Sequence, residues 1–246
     1  MTTVEHALGQ LWEDIYDPIT REVVATLPLD RTWRCLELGA GLGSMSYWLS
    51  EKAATVVAVD LDTSGIDPGR APNLTVREQD VTTARFEPES FDLILARATF
   101  EHLPDPEAVL RRAVEWLAPG GWLVVEDFYY LPGEHAPTEA ARAVLGAYLA
   151  GWRAQGADMH WGRRLPSTFA RAGLSSVEVR VTPLGPGQHP LGNELIRERM
   201  RLQGGRLVDS GLVRAEDLDA FVAGLDDPTA RDVATLLFSV RGRRAR

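Results

Sequence analysis

From Trp33 onward, apolar residues fall by turns into short unbroken runs and longer stretches of helical spacing. The runs at 33–38, 55–60, 74–79, 91–96 and 121–127 have the length and apolar content of buried strands. Between them, residues 44–53 and 105–118 predict amphipathic helices. In the second of these, Val109, Leu110, Ala113, Val114 and Leu117 share one face, and Pro119-Gly120-Gly121 stops the helix. Strands alternating with helices predict an α/β fold with a mostly parallel sheet covered on both faces. One crossover is weak. The stretch from Thr63 to Asn73 holds Gly65, Pro68, Gly69 and Pro72, so a loop or a single short turn is expected there.

The two ends carry a different pattern. In residues 4–28, Leu8, Leu11, Trp12 and Ile15 recur at helical spacing, and Asp17-Pro18 predicts a break. Asp17 then caps a second helix whose first turn holds Pro18. Downstream, helices are expected over 138–153, 167–172, 191–207 and 215–225. An alternating strand is expected over 177–181 and a last strand over 235–240. No internal repeat or low-complexity linker interrupts the chain.

The chemistry-bearing stretch is Glu37-Leu38-Gly39-Ala40-Gly41-Leu42-Gly43-Ser44, which reads as strand end, tight turn and helix start. Glycine permits positive φ and lets a ligand approach the backbone. Free N–H groups at a helix start attract electron-rich atoms. The dinucleotide fingerprint would need a third glycine where Ser44 stands. Asp60 ends the next apolar run, about 20 residues beyond the turn, the spacing of a ribose-binding acid. Asp80 ends the run after that.

Taken with Glu101-His102-Leu103-Pro104-Asp105 and the Pro-Gly-Gly turn, this series resembles the class I S-adenosyl-L-methionine (SAM)-dependent methyltransferases over residues 33–128. The resemblance implies a Rossmann-like α/β fold: a mostly parallel seven-stranded sheet with an antiparallel last strand, plus a helical lid. It divides the chain into a lid at 1–30 and a core at 31–246 with a helical insertion at about 190–225. It also implies SAM as cofactor, S-adenosyl-L-homocysteine as product, and a small organic methyl acceptor of bacterial natural-product or quinone type, methylated at O, N or C. The cofactor residues it implies begin with Glu37, Gly39, Ala40, Gly41, Gly43 and Ser44. Asp60 would take the ribose hydroxyls with Leu61 against the adenine, and Asp80 would pair with the adenine amino group beside Val81. Arg97 either contacts the methionyl carboxylate or forms a structural ion pair. Trp12 and Tyr16 either line the lid or are core aromatics.

For catalysis, His102 is the first candidate general base, since it alone of the five histidines follows a core strand at the cofactor end. The competing reading makes it a scaffold that holds its loop. His160 is the second candidate and Tyr16 the third. Asp158 and His160 are too few ligands for a metal site, so no metal is expected.

Composition narrows the partners. The chain has 246 residues and a net charge of −9, which argues against a nucleic-acid backbone. Cys35 is the only cysteine and lies in a core strand, so no intrachain disulfide forms. No basic-then-apolar leader and no membrane-length apolar stretch is visible, which predicts a cytoplasmic monomer or homodimer. Two other functions compete: a nicotinamide-dependent oxidoreductase, disfavoured by Ser44 and Asp80, and a SAM-binding protein that transfers no methyl, such as a cyclase or a regulatory module.

Overall fold

The computed structural model describes residues 3–246, with side chains from residue 6. Its strands are β1 (Arg34–Leu38), β2 (Thr55–Asp60), β3 (Leu74–Glu78), β4 (Phe91–Arg97), β5 (Leu117–Tyr130), β6 (Ser175–Leu184) and β7 (Thr235–Arg243). They form one sheet in the order β3-β2-β1-β4-β5-β7-β6. The strands from β3 to β5 run parallel, and β7 is antiparallel to both of its neighbours. The expected α/β class and the antiparallel last strand are both present.

Side-chain alternation sorts the sheet into two buried faces. Leu36 and Leu38 of β1 join Ile94 and Ala96 of β4 beneath α3 (Pro106–Trp116) and α5 (Leu165–Arg171). Cys35, Leu93 and Leu95 point the other way, onto Met45 and Leu49 of α2 (Ser44–Ser50) and onto Val23 and Val24 of α1 (Thr3–Val24). β2 and β3 are joined by a loop with one 3-10 turn at Pro68–Arg70, as the glycines and prolines there foretell.

A third apolar cluster lies beyond the strand tips. It brings Ile15 and Tyr16 of α1 together with α4 (Glu139–Ala154), α6 (Gly192–Asp209) and α7 (Ala215–Gly224), over Phe128, Tyr130 and Leu237. The last two helices lie between β6 and β7.

Two local expectations are corrected. The break at Asp17-Pro18 is absent, for α1 runs unbroken through Pro18. Proline removes one helical hydrogen bond. Here Asp17 does not cap a new helix; its carboxylate takes the Arg97 guanidinium at 2.8 Å and the Ser44 hydroxyl at 3.0 Å. Beyond the proline, Thr20 donates to Glu126 and accepts from Arg97 at 2.8 Å, so long-range partners hold the helix on both sides of it. The second correction concerns Pro119-Gly120-Gly121. The chain enters β5 directly after α3, and residues 118–121 bulge out between the Phe91–Leu117 and Leu93–Trp122 pairs, with Gly120 at φ +81°.

A 3-10 turn at Trp161–Arg164 crosses β5 so closely that a Cβ on Gly162 would collide with the Asp127 carbonyl and lie 2.8 Å from that of Phe128. Gly162→Ala should therefore lower unfolding stability by about 1–3 kcal/mol, the usual cost of overpacking. Urea denaturation checks this, with an unchanged far-UV circular dichroism spectrum expected for the folded variant.

Candidate active site

In an open α/β sheet, ligands gather where the strand order reverses, beyond the carboxyl ends of the strands. Here that point lies between β1 and β4. The turn after β1 is pinned to β2 by hydrogen bonds from the Gly39 and Ala40 N–H groups to the Val59 carbonyl, at 2.8 and 3.1 Å. Gly39 and Gly41 both take positive φ, +73° and +58°. A Cβ on Gly39 would strike the Thr99 side chain, so β1 and β4 approach here only through glycine. A Cβ on Gly41 would meet nothing within 4 Å. Gly41 borders a cavity of about 630 Å³.

That cavity brings together most of the residues picked out from the sequence. Glu37, Gly39, Ala40, Asp60, Leu61 and Asp80 line it, and so do Val81, Arg97, His102 and Trp12. Asp60 accepts the Gly41 N–H at 2.8 Å through Oδ2 and the Asp62 N–H at 3.2 Å through Oδ1, so it shapes the turn as well as facing the cavity. Leu61 is 71 % exposed, an apolar surface offered at the rim. Hydrogen bonds from Thr82 hold the Asp80 carboxyl below its ordinary value, keeping it an acceptor.

Gly43 and Ser44 lie behind the turn and do not line the cavity. Gly43 is the left-handed cap of α2. Ser44 is occupied by α1: its N–H donates to Glu13 Oε1 at 3.3 Å and its hydroxyl to Asp17. Arg97 borders the cavity with its side chain only 10 % exposed. Its Nη2 donates to Asp17 and its Nη1 to the Thr20 hydroxyl at 2.8 Å, so it forms a buried ion pair while facing the cavity. The Glu37 carboxyl accepts from the Ser46 hydroxyl, and burial pushes its pKa up to about 7.

His102 sits in a 3-10 turn after β4, with 35 % of its side chain exposed. Its ring packs on Trp152 with centroids 4.8 Å apart, and burial lowers its pKa, which favours the neutral imidazole. Nε2 lies 3.5 Å from Glu101 Oε1. The Glu101 carboxylate end is buried, accepts the Phe128 N–H at 2.7 Å, and is pushed up by desolvation. His160 is not brought to this site. Asp158 ties its loop down by accepting the His160 N–H at 3.0 Å, and the His160 ring turns onto Tyr129, centroids 5.3 Å apart, outside the cavity. Among the described residues, no group of three His, Cys, Asp or Glu is arranged to hold a metal.

A second cavity of about 510 Å³ adjoins the first. Ile15, Val144, Leu195, Met200 and Phe221 give it apolar walls. Tyr16 belongs to this cavity and Trp12 to the first, although their rings touch at 4.1 Å. Phe128, Tyr130, Tyr148 and Arg199 border both cavities and form the seam. Sequence reading missed all four. Phe128 and Tyr130 carry the signal of a strand's carboxyl end. Arg199, amid the charged run Arg197 to Arg201, carries none, since that run looks like a solvated helix face.

Comparison with known proteins agrees with this geometry. A family model described as a methyltransferase domain matches residues 11–179. The chain is similar to methyltransferase str2 of Strobilurus tenacellus, 33 % identical over 162 residues, which cover 61 % of this chain and 57 % of that protein. It is also similar to the ubiquinone biosynthesis O-methyltransferase of Paracidovorax citrulli, 28 % identical over 147 residues, covering 56 % and 60 %. Both matches span less than two thirds of the relative's length. In fold it resembles Haemonchus contortus phosphoethanolamine N-methyltransferase 2, solved with phosphomonomethylethanolamine and S-adenosylhomocysteine. The TM-score is 0.63 at 17 % identity, covering 97 % of this chain and 57 % of that one.

The raised Glu37 carboxyl makes a stability prediction. An acid whose folded pKa exceeds its unfolded one contributes stability that is fully present below the unfolded value, here 4.5. That stability is lost as pH rises through the folded value, here about 7. Glu37→Gln keeps an acceptor for Ser46 and removes the ionisation. The melting temperature of the variant relative to the parent should therefore rise between pH 5 and pH 8, read on the ligand-free protein by calorimetry.

Proposed function

The chain belongs to the class I SAM-dependent methyltransferases, and we propose that it methylates an oxygen nucleophile of a small organic acceptor in biosynthetic metabolism. One observation carries the reading: the cleft at the β1–β4 switch point shares Phe128, Tyr130, Tyr148 and Arg199 with a separate, mostly apolar cavity. One cavity suits the cofactor and the other an acceptor. When bound, SAM supplies an electrophilic methyl group on a sulfonium sulfur.

The residues present fit that cofactor. The open side of Gly41 would admit a ligand against the backbone, Asp60 would take the ribose hydroxyls, and Leu61 and Val81 would offer apolar surface to the adenine beside Asp80. Glu37 provides a carboxylate for the methionyl amine. Helix α1 and the insertion helices α6 and α7 serve as the lid that excludes water, with Trp12 on the cofactor side and Tyr16 on the acceptor side. The enzyme's main task is alignment of nucleophile and methyl carbon.

An oxygen nucleophile also benefits from a base, and neutral His102 is accessible from the cofactor cleft. The similarity to an O-methyltransferase supports the same choice, with nitrogen and carbon acceptors as alternatives. The reading also includes a cytoplasmic location, with which the single buried cysteine is compatible. No helix among the described residues is long and apolar enough to cross a membrane. The reading also takes the protein to be a monomer or a homodimer.

Incubation with SAM and a pool of small phenols, acids and amines should yield S-adenosylhomocysteine above the enzyme-free rate, read by mass spectrometry. A protein that binds S-adenosylhomocysteine yet produces none with any acceptor would instead be a binding module or a cyclase. Asp60→Ala should weaken cofactor binding by about 1.5–3 kcal/mol, since hydrogen bonds to a charged group are lost. Asp60→Asn retains an acceptor for the Gly41 N–H and separates turn geometry from ribose contact in the same calorimetric assay. His102→Ala should lower kcat by about 10²–10⁴ with cofactor affinity little changed. A fall in affinity and melting temperature with kcat intact assigns His102 to the scaffold.

A further inference from the structure

The seam between the two cavities holds a guanidinium with no matching acid. Arg199 lies on α6 and faces both cavities. Among the described residues its one hydrogen bond is to the Tyr130 hydroxyl, at 3.3 Å, and its ring contact is with Tyr148, 5.8 Å to the centroid. No carboxylate among those residues lies within ion-pair distance. Glu101 is the acid that feels the Arg199 charge, but its carboxylate bonds the Phe128 N–H, and burial pushes it toward the neutral form. A guanidinium presents five N–H donors in a flat fork. Most of them are left for whatever enters the cavity.

The rest of the acceptor cavity is mostly apolar, its other acidic and basic side chains being His189, Asp227, Arg231 and the half-buried Asp232. Asp227 and Arg231 there are exposed, and Asp227 already accepts from the Thr229 N–H and hydroxyl at 2.8 and 2.7 Å. A cation kept at an apolar seam without a partner is costly unless a ligand anion completes it. One guanidinium matches one negative charge, and its fork matches a carboxylate in bidentate fashion. A phosphate dianion would bury a second charge with nothing opposite it.

We propose that the acceptor is a carboxylic acid with an apolar body, its carboxylate held by Arg199 at the seam and its body in the cavity walled by Ile15, Val144, Leu195 and Phe221. This rests on the methyltransferase reading and names the substrate class for the same site. Anchoring the acid at the seam sets the reach of the acceptor toward the cofactor cleft. The Tyr130 hydroxyl, fixed by Arg199, borders the same spot.

The test uses the whole chain saturated with S-adenosylhomocysteine and three probes that share a phenyl group: 4-phenylbutanoate, 4-phenylbutanamide and 2-phenylethyl phosphate. Calorimetry should show the acid binding about 10–100-fold more tightly than the amide, the worth of hydrogen bonds to a charged group. In Arg199→Met, again saturated with S-adenosylhomocysteine at a concentration set from its own measured affinity, that ratio should fall to near one. Arg199→Lys, the variant least disruptive to folding, should keep a reduced preference for the acid. Equal binding of acid and amide by the parent overturns the proposal, as does failure of both to bind. So does an acid preference that survives in Arg199→Met, or a phosphate bound more tightly than the acid. A parent protein that fails to bind S-adenosylhomocysteine sinks the cofactor reading instead, and the acid–amide comparison on the unloaded chain still tests Arg199.

Discussion

The ion pair between Arg97 and Asp17 joins the cover of this molecule to its floor. Arg97 ends β4 at the strand-order switch, and Asp17 stands in the middle of α1; both side chains are almost wholly buried. Around them, Thr20 of α1 donates to Glu126 of β5, Ser239 of β7 donates to the same carboxylate at 2.5 Å, and Ser44 of α2 donates to Asp17. One polar cluster thus fastens the first helix to three strands and to the helix after the glycine turn. Burying such a pair contributes little net stability against an apolar replacement, but removing one partner strands a buried charge at about 3–5 kcal/mol. What the cluster supplies is position. With α1 held there, the Arg97 guanidinium lies 5.5 Å from the centroid of the Trp12 ring, which sets that ring at the cofactor cleft.

From this fixed cover follows the division of space above the sheet. Trp12, Tyr16 and Phe128 meet edge to face, at 5.6 Å from each of the first two rings to the third, and make a rigid aromatic partition. The cleft over the glycine turn is polar on its floor, whereas the cavity under α4, α6 and α7 is apolar. A methyl donor and an organic acceptor differ in the same sense. Alignment of the two needs a wall that does not yield, and packed aromatic rings with few rotamers provide one at low entropic cost.

The parts of this arrangement legible in the sequence are those encoded locally. The glycine turn, Asp60 and Asp80 each follow a β-rich run, so strand periodicity alone carries them to the correct end of the sheet. The weak crossover at Gly65, Pro68, Gly69 and Pro72 was equally local. What stayed hidden depended on contacts distant in the chain. Pro18 reads as a helix break because nothing nearby announces that Asp17 will find Arg97, 80 residues on. His160 reads as a base candidate because the Asp158 turn that averts its ring forms only against Glu101, whose carbonyl accepts the Asp158 N–H at 2.7 Å. Arg199 reads as one more charge on a surface helix, since its tyrosine surroundings come from β5 and α4.

Burial also sorts the titratable groups of the site into roles. Tyr16 is pushed up to about 12 and Tyr130 is raised as well, so both hydroxyls remain protonated at neutral pH and act as donors or as dipoles. Glu101 and Asp127 are both raised by desolvation, and the nearby Glu101 adds to the cost of ionising Asp127. His102 moves the opposite way, because for imidazole the charged form is the protonated one. A histidine kept neutral beside a carboxyl that resists ionisation is an asymmetric pair, and such pairs divide acid and base duties. Protonation of His102 would place a positive charge 3.5 Å from Glu101 Oε1 and so favour the ionised carboxyl there. In the base role proposed for His102, the burial that lowers its pKa is what leaves the imidazole neutral.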